Sequence, residues 1–347
     1  MHLRFAVDCW KKTAITNRRD QILFTRHDGR QGNMTLLYMD DKFLLHDTGQ
    51  HPECAARLQH VHARLKESGL VERFTQVPIQ RADDADVERV HTQQHIAAVR
   101  DFADKGGGRI ETDTVVSPDS ADVAWLAAGT GIDAVARVVN GEDKSALCLV
   151  RPPGHHAVPN GPMGFCLLGN ISIAARTAVQ KLGLGRVLIV DWDVHHGNGT
   201  QDVFYDDENV TFFSAHRYPF YPGTGRKSET GRGKGLGSTF NLPLEFGVSR
   251  KDYLTAFENA LTKAADACKP ELVLISAGFD AHAEDPVGSL GLETEDFETL
   301  TKLVQQVADT HSDGRLVSML EGGYNVERLA DCVELHAQTL LSASPNT

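Results

Sequence analysis

Residues 186–200 read RVLIVDWDVHHGNGT. Val187–Val190 is an unbroken apolar, mostly β-branched run, the pattern of a parallel strand buried on both faces. The run then turns polar at once. Asp191, Asp193 and His195 follow at every second position, so a backbone that stayed extended would aim all three at one face. Two carboxylates and an imidazole at a strand end form a donor set for a divalent metal. A lone Asp-x-Asp reads equally well as a satisfied polar strand end. The full Asp-x-Asp-x-His-His-Gly after a buried strand reads as a site.

Working outward, apolar runs alternate with amphipathic ones. Strands are predicted over Met34–Met39, Phe74–Ile79, Ala146–Val150, Val210–Ser214, Phe240–Leu244, Glu271–Ser276 and Leu316–Leu320. Helices are predicted over Asp86–Ala103, Ser120–Asn140, Gly169–Leu182, Arg250–Cys268, Glu295–His311 and Ala330–Leu341. A further helix follows HPECAAR (residues 51–57), with Leu58, Val61, Leu65 and Leu70 as its apolar stripe. Alternation of this kind predicts an α/β fold: a single domain of three α/β/α layers with a mostly parallel central sheet. Residues 1–33 carry no periodicity and are expected to be an N-terminal extension of uncertain order, the folded domain occupying 34–347. Tyr221–Gly237 is rich in glycine and basic residues. It lacks the G-x-x-x-x-G-K-[ST] spacing and is expected to be a mobile surface loop rather than a phosphate cradle.

The composition is that of an ordinary globular chain: 41% hydrophobic and 24% charged over 347 residues. A net charge of -12 argues against a general nucleic-acid binder. The six cysteines form no C-x-x-C and are expected to be free thiols in a reducing compartment. No apolar run approaches the ~20 residues a membrane span needs, and no secretory segment is recognisable at the N-terminus. A cytoplasmic enzyme is the expectation.

Four polar clusters follow four predicted strands: Pro152–His156, Asp191–Asn198, Gly278–His282 and Glu321–Asn325. In open α/β sheets ligands bind beyond the carboxyl ends of the strands, so the four clusters are expected to converge. Asp193, His195 and Asp280 supply three protein ligands, which is the count of a catalytic rather than a structural zinc. His155 and His156 offer a general base and acid. Tyr324 offers a hydrogen bond to a developing oxyanion. The inventory is that of metal-assisted hydrolysis of an amide. His46, His51, His91 and His95 are read as structural or surface histidines, Trp125 and Trp192 as core, and His282 as a residue beside the site.

RPPGHH, MGFCLLGN, DWDVHHGNGT, SAGFDAH and EGGYN, in this order, resemble the zinc-dependent histone deacetylase family, closer to its class II and bacterial members than to class I. The likeness runs from about Met34 to Leu341 and implies the arginase-deacetylase fold, with a deacetylase catalytic domain over 34–347. Position by position it implies that Asp193, His195 and Asp280 bind one Zn2+, that His155 and His156 flank the reacting water, that Asp191 orients His155, and that Tyr324 polarises the acyl carbonyl. Gly164, Phe165 and Tyr221 match the channel wall and Arg57 the foot of the internal cavity. A potassium ion near Asp191, Asp193, His195, Ser214 and Ala215 is implied as well. The implied substrate is an acylated lysine peptide or an acylated small amine, with no nucleic acid and no membrane. Acetylpolyamines are the alternative substrate. An arginase-type ureohydrolase and a non-catalytic acyl-lysine binder are further alternatives.

Three positions depart from the family's commoner pattern. Asn198 stands where class I members carry Asp, leaving His156 a neutral partner and making it the better candidate for the neutral base. Tyr221 replaces a phenylalanine. Val287 stands where animal polyamine-specific members carry an acidic gatekeeper, which weighs against the polyamine alternative.

Overall fold

A computed structural model describes residues 35–342. The extension expected over 1–33 lies outside the described residues. The chain opens with β1 (Leu36–Tyr38), α1 (Ala56–Glu67), β2 (Thr75–Gln76), α2 (Asp84–Val87) and α3 (Gln93–Asp104), followed by a small antiparallel pair, β3 (Gly108–Arg109) and β4 (Val115–Val116). Next come α4 (Ser120–Val139), β5 (Ser145–Cys148), α5 (Asn170–Gln180), β6 (Val187–Asp191), α6 (Asn198–Phe204), β7 (Val210–Arg217) and β8 (Thr239–Leu244). The last five elements are α7 (Arg250–Cys268), β9 (Leu272–Ala277), α8 (Thr294–His311), β10 (Leu316–Leu320) and α9 (Val326–Leu341).

Eight strands form one sheet in the order β2-β1-β5-β10-β9-β6-β7-β8, and every neighbouring pair is parallel. Parallel pairing forces crossover connections, and the helices that make them cover both faces. Successive residues of β10 show this. Met319 lies against Gly131 of α4, while the Ser318 hydroxyl meets His336 Nε2 of α9 at 2.9 Å on the other side. Covered on both faces, β6, β9 and β10 have no exposed position to alternate with, and every residue in them is buried. Continuous apolar runs are the sequence consequence. Trp125 and Trp192 are wholly buried, as expected of core residues.

The strands that end in polar clusters are β5, β10, β9 and β6, four adjacent strands at the centre of the sheet. Chain order separates them; the sheet sets their carboxyl ends side by side.

Two expectations are corrected. The helix predicted over 86–103 is two helices, α2 and α3, interrupted at Glu88–Thr92. Thr92 turns out of the helix and caps α3 by accepting from His95 N at 3.2 Å, while its own N–H donates to Pro159 O. The segment predicted to be mobile, Tyr221–Gly237, is pinned. Glu229 accepts from the amides of Gly225 and Arg226 and from the Gln201 side chain. Asp206 accepts from Lys234 N. Its charged side chains Arg226, Lys227, Arg232 and Lys234 are exposed.

Candidate active site

Asp191 is the last residue of β6, and there the extended backbone stops. Its Oδ1 accepts from Asp193 N at 3.1 Å, and Asp193 Oδ1 accepts from His195 N at 2.9 Å. Two successive Asx-type bonds bend the chain, so the shared face expected for the three residues is lost. Asp191 turns to His155. Asp193 and His195 instead join Asp280, which arrives from the end of β9. Ligand atoms of Asp193, His195 and Asp280 lie within 4.8 Å of one another, and all three residues are buried. His195 Nδ1 sits 3.0 Å from Asp193 Oδ1 and 3.1 Å from Asp280 Oδ2. The other carboxylate oxygens are held by backbone amides: Gly322 N donates to Asp193 Oδ2 and Val194 N to Asp280 Oδ1.

This donor set fits a divalent cation. Two buried carboxylates close on one imidazole nitrogen. Burial resists a charge on His195, yet Asp193 and Asp280 push its pKa up to about 10. Desolvated beside Asp193, Asp280 is pushed up to about 7. The backbone leaves room only for this arrangement: a Cβ at Gly278 would stand 2.1 Å from Asp193 Oδ2, and one at Gly322 2.3 Å from Asp280 Oδ2. Among the described residues this is the one cluster of its kind. His282 does not reach it. Its Nδ1 accepts from Glu284 N, and its Nε2 faces Thr294 and Glu293. Among the described residues no second cluster of three such donors stands beside it, as the two-metal site of a ureohydrolase would need.

His155 and His156 follow β5 and lie with ring centroids 4.0 Å apart. They differ in partner. His155 Nδ1 pairs with Asp191 Oδ2 at 3.0 Å, and its Nε2 is 3.8 Å from Asp193. His156 Nδ1 pairs with Asn198 Oδ1 at 2.7 Å. Against the cost of burial, Asp193 and Asp191 hold His155 well above the usual imidazole range. Burial and the charge of its neighbours His155 and His195 hold His156 well below it.

Glu321, at the start of EGGYN, was not singled out from the sequence. Its buried carboxylate accepts from Gly154 N at 2.6 Å, His155 N at 3.2 Å and Ser276 Oγ at 3.1 Å. It thereby ties the ends of β5, β9 and β10 together. A charged residue closing an apolar strand was its signal.

Tyr324 stands between β10 and α9, whose first turn Asn325 caps by accepting from Arg328 N. Burial and Asp280 hold its phenol well above the ordinary value, so it is a neutral donor. Arg57 lies over its ring at 5.0 Å and donates to the carbonyl oxygens of Gly323 and Glu321. Behind Arg57 is Glu53, also missed. It is fully buried and accepts from both Arg57 and Arg151. Despite the desolvation cost, Arg151 and His46 hold its carboxyl well below the usual range. Its stabilisation is therefore present above the unfolded value of 4.5 and is lost as pH falls through the lowered folded value. Replacing Glu53 by Gln leaves two buried guanidinium groups without their anion. Breaking a buried pair in this way costs about 3–5 kcal/mol, which urea unfolding at pH 7 will measure. A loss under ~1 kcal/mol, the range of an exposed pair, would show that Glu53 is dispensable.

The channel residues also come together. Phe165 has φ +69°, a left-handed conformation costing about 1–3 kcal/mol, and is held there by its N–H donating to Thr114 Oγ1 at 3.1 Å. Its ring meets Tyr324 edge-on at 5.6 Å and His51 at 4.6 Å. Gly164 abuts the His156 ring. Tyr221 packs edge-on against His156 at 5.2 Å and His195 at 6.0 Å. Phe220, missed in the sequence, stacks on His195 at 5.2 Å. His46, His91 and His95 are buried and bonded away from the site, as structural histidines are.

Residues 51–340 match the family model described as the histone deacetylase domain. A probable deacetylase of Archaeoglobus fulgidus is 39% identical over 297 residues, covering 85% of this chain and 82% of that protein. The polyamine deacetylase HDAC10 of Homo sapiens is 40% identical over 323 residues, covering 88% of this chain and 48% of that protein. The crystal structure of the HDA15 HD domain superposes with a TM-score of 0.85 at 36% identity, covering 90% of each chain.

Proposed function

The chain belongs to the histone deacetylase family and is a deacetylase; from that premise we propose that it removes acetyl groups from lysine side chains with one zinc ion held by Asp193, His195 and Asp280. The observation that carries the metal assignment is the buried convergence of two carboxylates and one imidazole nitrogen at two adjacent strand ends, those of β6 and β9. When bound, zinc supplies a Lewis acid that acidifies water and polarises a carbonyl.

The protein residues do the rest. Nδ1 of His156 faces a carbonyl-type oxygen on Asn198 and so carries the ring proton. Its Nε2 is left with a lone pair to take a proton from the attacking water and return it to the leaving amine. His155, paired with an anion through Nδ1, stays protonated and stabilises developing negative charge. Tyr324 donates to the acyl oxygen as that oxygen gains charge. The rings of Phe165, against Tyr324, and Tyr221, against His156, offer apolar walls that suit an extended aliphatic side chain, and Arg57 lies over the Tyr324 ring.

Val287, half-buried beyond Asp280, offers no anion for a second amine on the substrate. This favours lysine over a polyamine. A monovalent cation beside Asp191, Asp193, His195 and Ser214 belongs to the same reading as part of the proposal; Asp191, at the end of β6, and Ser214 of β7 are register partners. A cytosolic setting is part of the proposal too, supported by the free thiols Cys54, Cys148, Cys166, Cys268 and Cys332.

The test is metal analysis with substrate profiling. The purified chain should carry one equivalent of zinc and hydrolyse an acetyl-lysine peptide in preference to acetylpolyamines. The Asp280→Ala variant should lose the metal. Full zinc occupancy in that variant would sink the ligand assignment, and a preference for acetylpolyamines would sink the substrate.

A further inference from the structure

The Gly323–Tyr324 peptide is gripped at both ends by charged side chains distant in sequence. Its carbonyl oxygen accepts from Arg57 Nε at 2.6 Å. Its N–H donates to Asp285 Oδ2 at 2.7 Å, and Asn325 N adds a second bond to the same oxygen at 3.3 Å. The peptide's own backbone does not fix it. Gly323 has φ +119°, a region open to glycine and closed to most other residues, so the plane can turn about a flexible neighbour.

Asp285 is buried and belongs to the loop that leaves β9 through Asp280. Its second oxygen, Oδ1, accepts from Val287 N and Gly288 N, each at 2.9 Å. The next amide, Ser289 N, donates to Asp280 O at 2.7 Å. One carboxylate therefore takes four backbone bonds, two from the loop of Asp280 and two from the loop of Tyr324. A half turn of the Gly323–Tyr324 plane would set its carbonyl against the Asp285 anion and its N–H against the Arg57 cation. Both contacts are repulsive, so the two charges select one orientation.

We propose that Asp285 is a positioning residue for the reaction: it clasps the Gly323–Tyr324 peptide and so fixes the Tyr324 hydroxyl relative to the Asp193–His195–Asp280 cluster. The proposal rests on the role given to Tyr324 above. Misplacing a reacting group by about 1 Å can cost on the order of 100-fold, and Asp285 controls a displacement of that kind.

Asp285→Asn is the informative variant. It keeps the shape but puts an NH2 against one pair of N–H donors, so one of the two loops loses its acceptor. The measurement is a four-protein cycle on an acetyl-lysine peptide: the unaltered chain, Asp285→Asn, Tyr324→Phe and both together, each with its zinc content. Alone, Asp285→Asn should lower kcat by about 100-fold with KM almost unchanged. In the Tyr324→Phe background it should cost no more than roughly threefold, because coupled residues are not additive. An equal loss in both backgrounds, no loss in the unaltered chain, or loss of zinc from Asp285→Asn would overturn the proposal. Near-normal turnover by Tyr324→Phe alone would instead remove the reading of Tyr324, and the proposal with it. Should Asp285→Asn not fold, Asp285→Ser passes through the same cycle, since its small side chain leaves room for water at the four amides.

Discussion

Replacing His156 by Ala is expected to lower turnover on an acetyl-lysine peptide by about 100- to 10,000-fold, the range of general acid–base catalysis, and by at least as much as replacing His155. The two rings lie side by side, yet their Nδ1 partners differ by a full charge: Asn198 Oδ1 at 2.7 Å for His156, Asp191 Oδ2 at 3.0 Å for His155. An anion on Nδ1 stabilises the protonated imidazole; an amide oxygen does so only weakly. His156 is therefore the ring with a free lone pair on Nε2, and a base must begin neutral. His155 begins charged, with both ring nitrogens protonated, and has no lone pair with which to accept a proton. Its loss removes electrostatic stabilisation but leaves the proton path intact. Single-turnover measurements on both alanine variants, each with its zinc content, decide the matter. A clearly deeper loss for His155→Ala would exchange the two roles.

The Tyr324→Phe variant is expected to retain zinc and bind a substrate-like hydroxamate almost normally, while turning over roughly 100- to 1000-fold more slowly, the usual cost of one oxyanion donor. The ring itself is held independently of its hydroxyl, against Phe165 at 5.6 Å and beneath Arg57 at 5.0 Å, so phenylalanine fits the same space. What disappears is a donor kept neutral by burial and by the Asp280 carboxylate. The loss should appear in kcat with KM little changed, because the hydrogen bond strengthens only as the acyl oxygen gains charge. Near-normal turnover would end the polarising role.

Much of this site was legible in the chain itself. Asp193, His195 and Asp280 were readable as metal donors, and His155, His156 and Tyr324 as their companions, because each cluster follows an apolar run that could only be a buried strand. The difference between the two histidines was also readable, since Asn198 lies in the same short motif as Asp191. Less visible were the residues that hold the site in shape. Glu53 reaches Arg151 across 98 positions, Glu321 reaches Gly154 across 167, and Asp285 reaches Tyr324 across 39. No periodicity links such pairs.

The split of the predicted helix into α2 and α3, and the bend that takes Asp191 off the face it was expected to share with Asp193 and His195, were hidden for a related reason. Each depends on a side chain competing for a backbone amide, at Thr92 and at Asp191, and the local pattern tolerates either outcome.

By itself the sequence determined that the strands are buried on both faces, that they run parallel, and that polar chemistry gathers at their carboxyl ends. Burial and hydropathy act residue by residue, so a linear pattern records them. Only the tertiary structure decided that β5, β10, β9 and β6 stand side by side, which carboxylate pairs with which cation, and how the Tyr324 peptide is turned. Those are choices among partners far apart in the chain, and they are settled by packing and charge pairing once the sheet has closed.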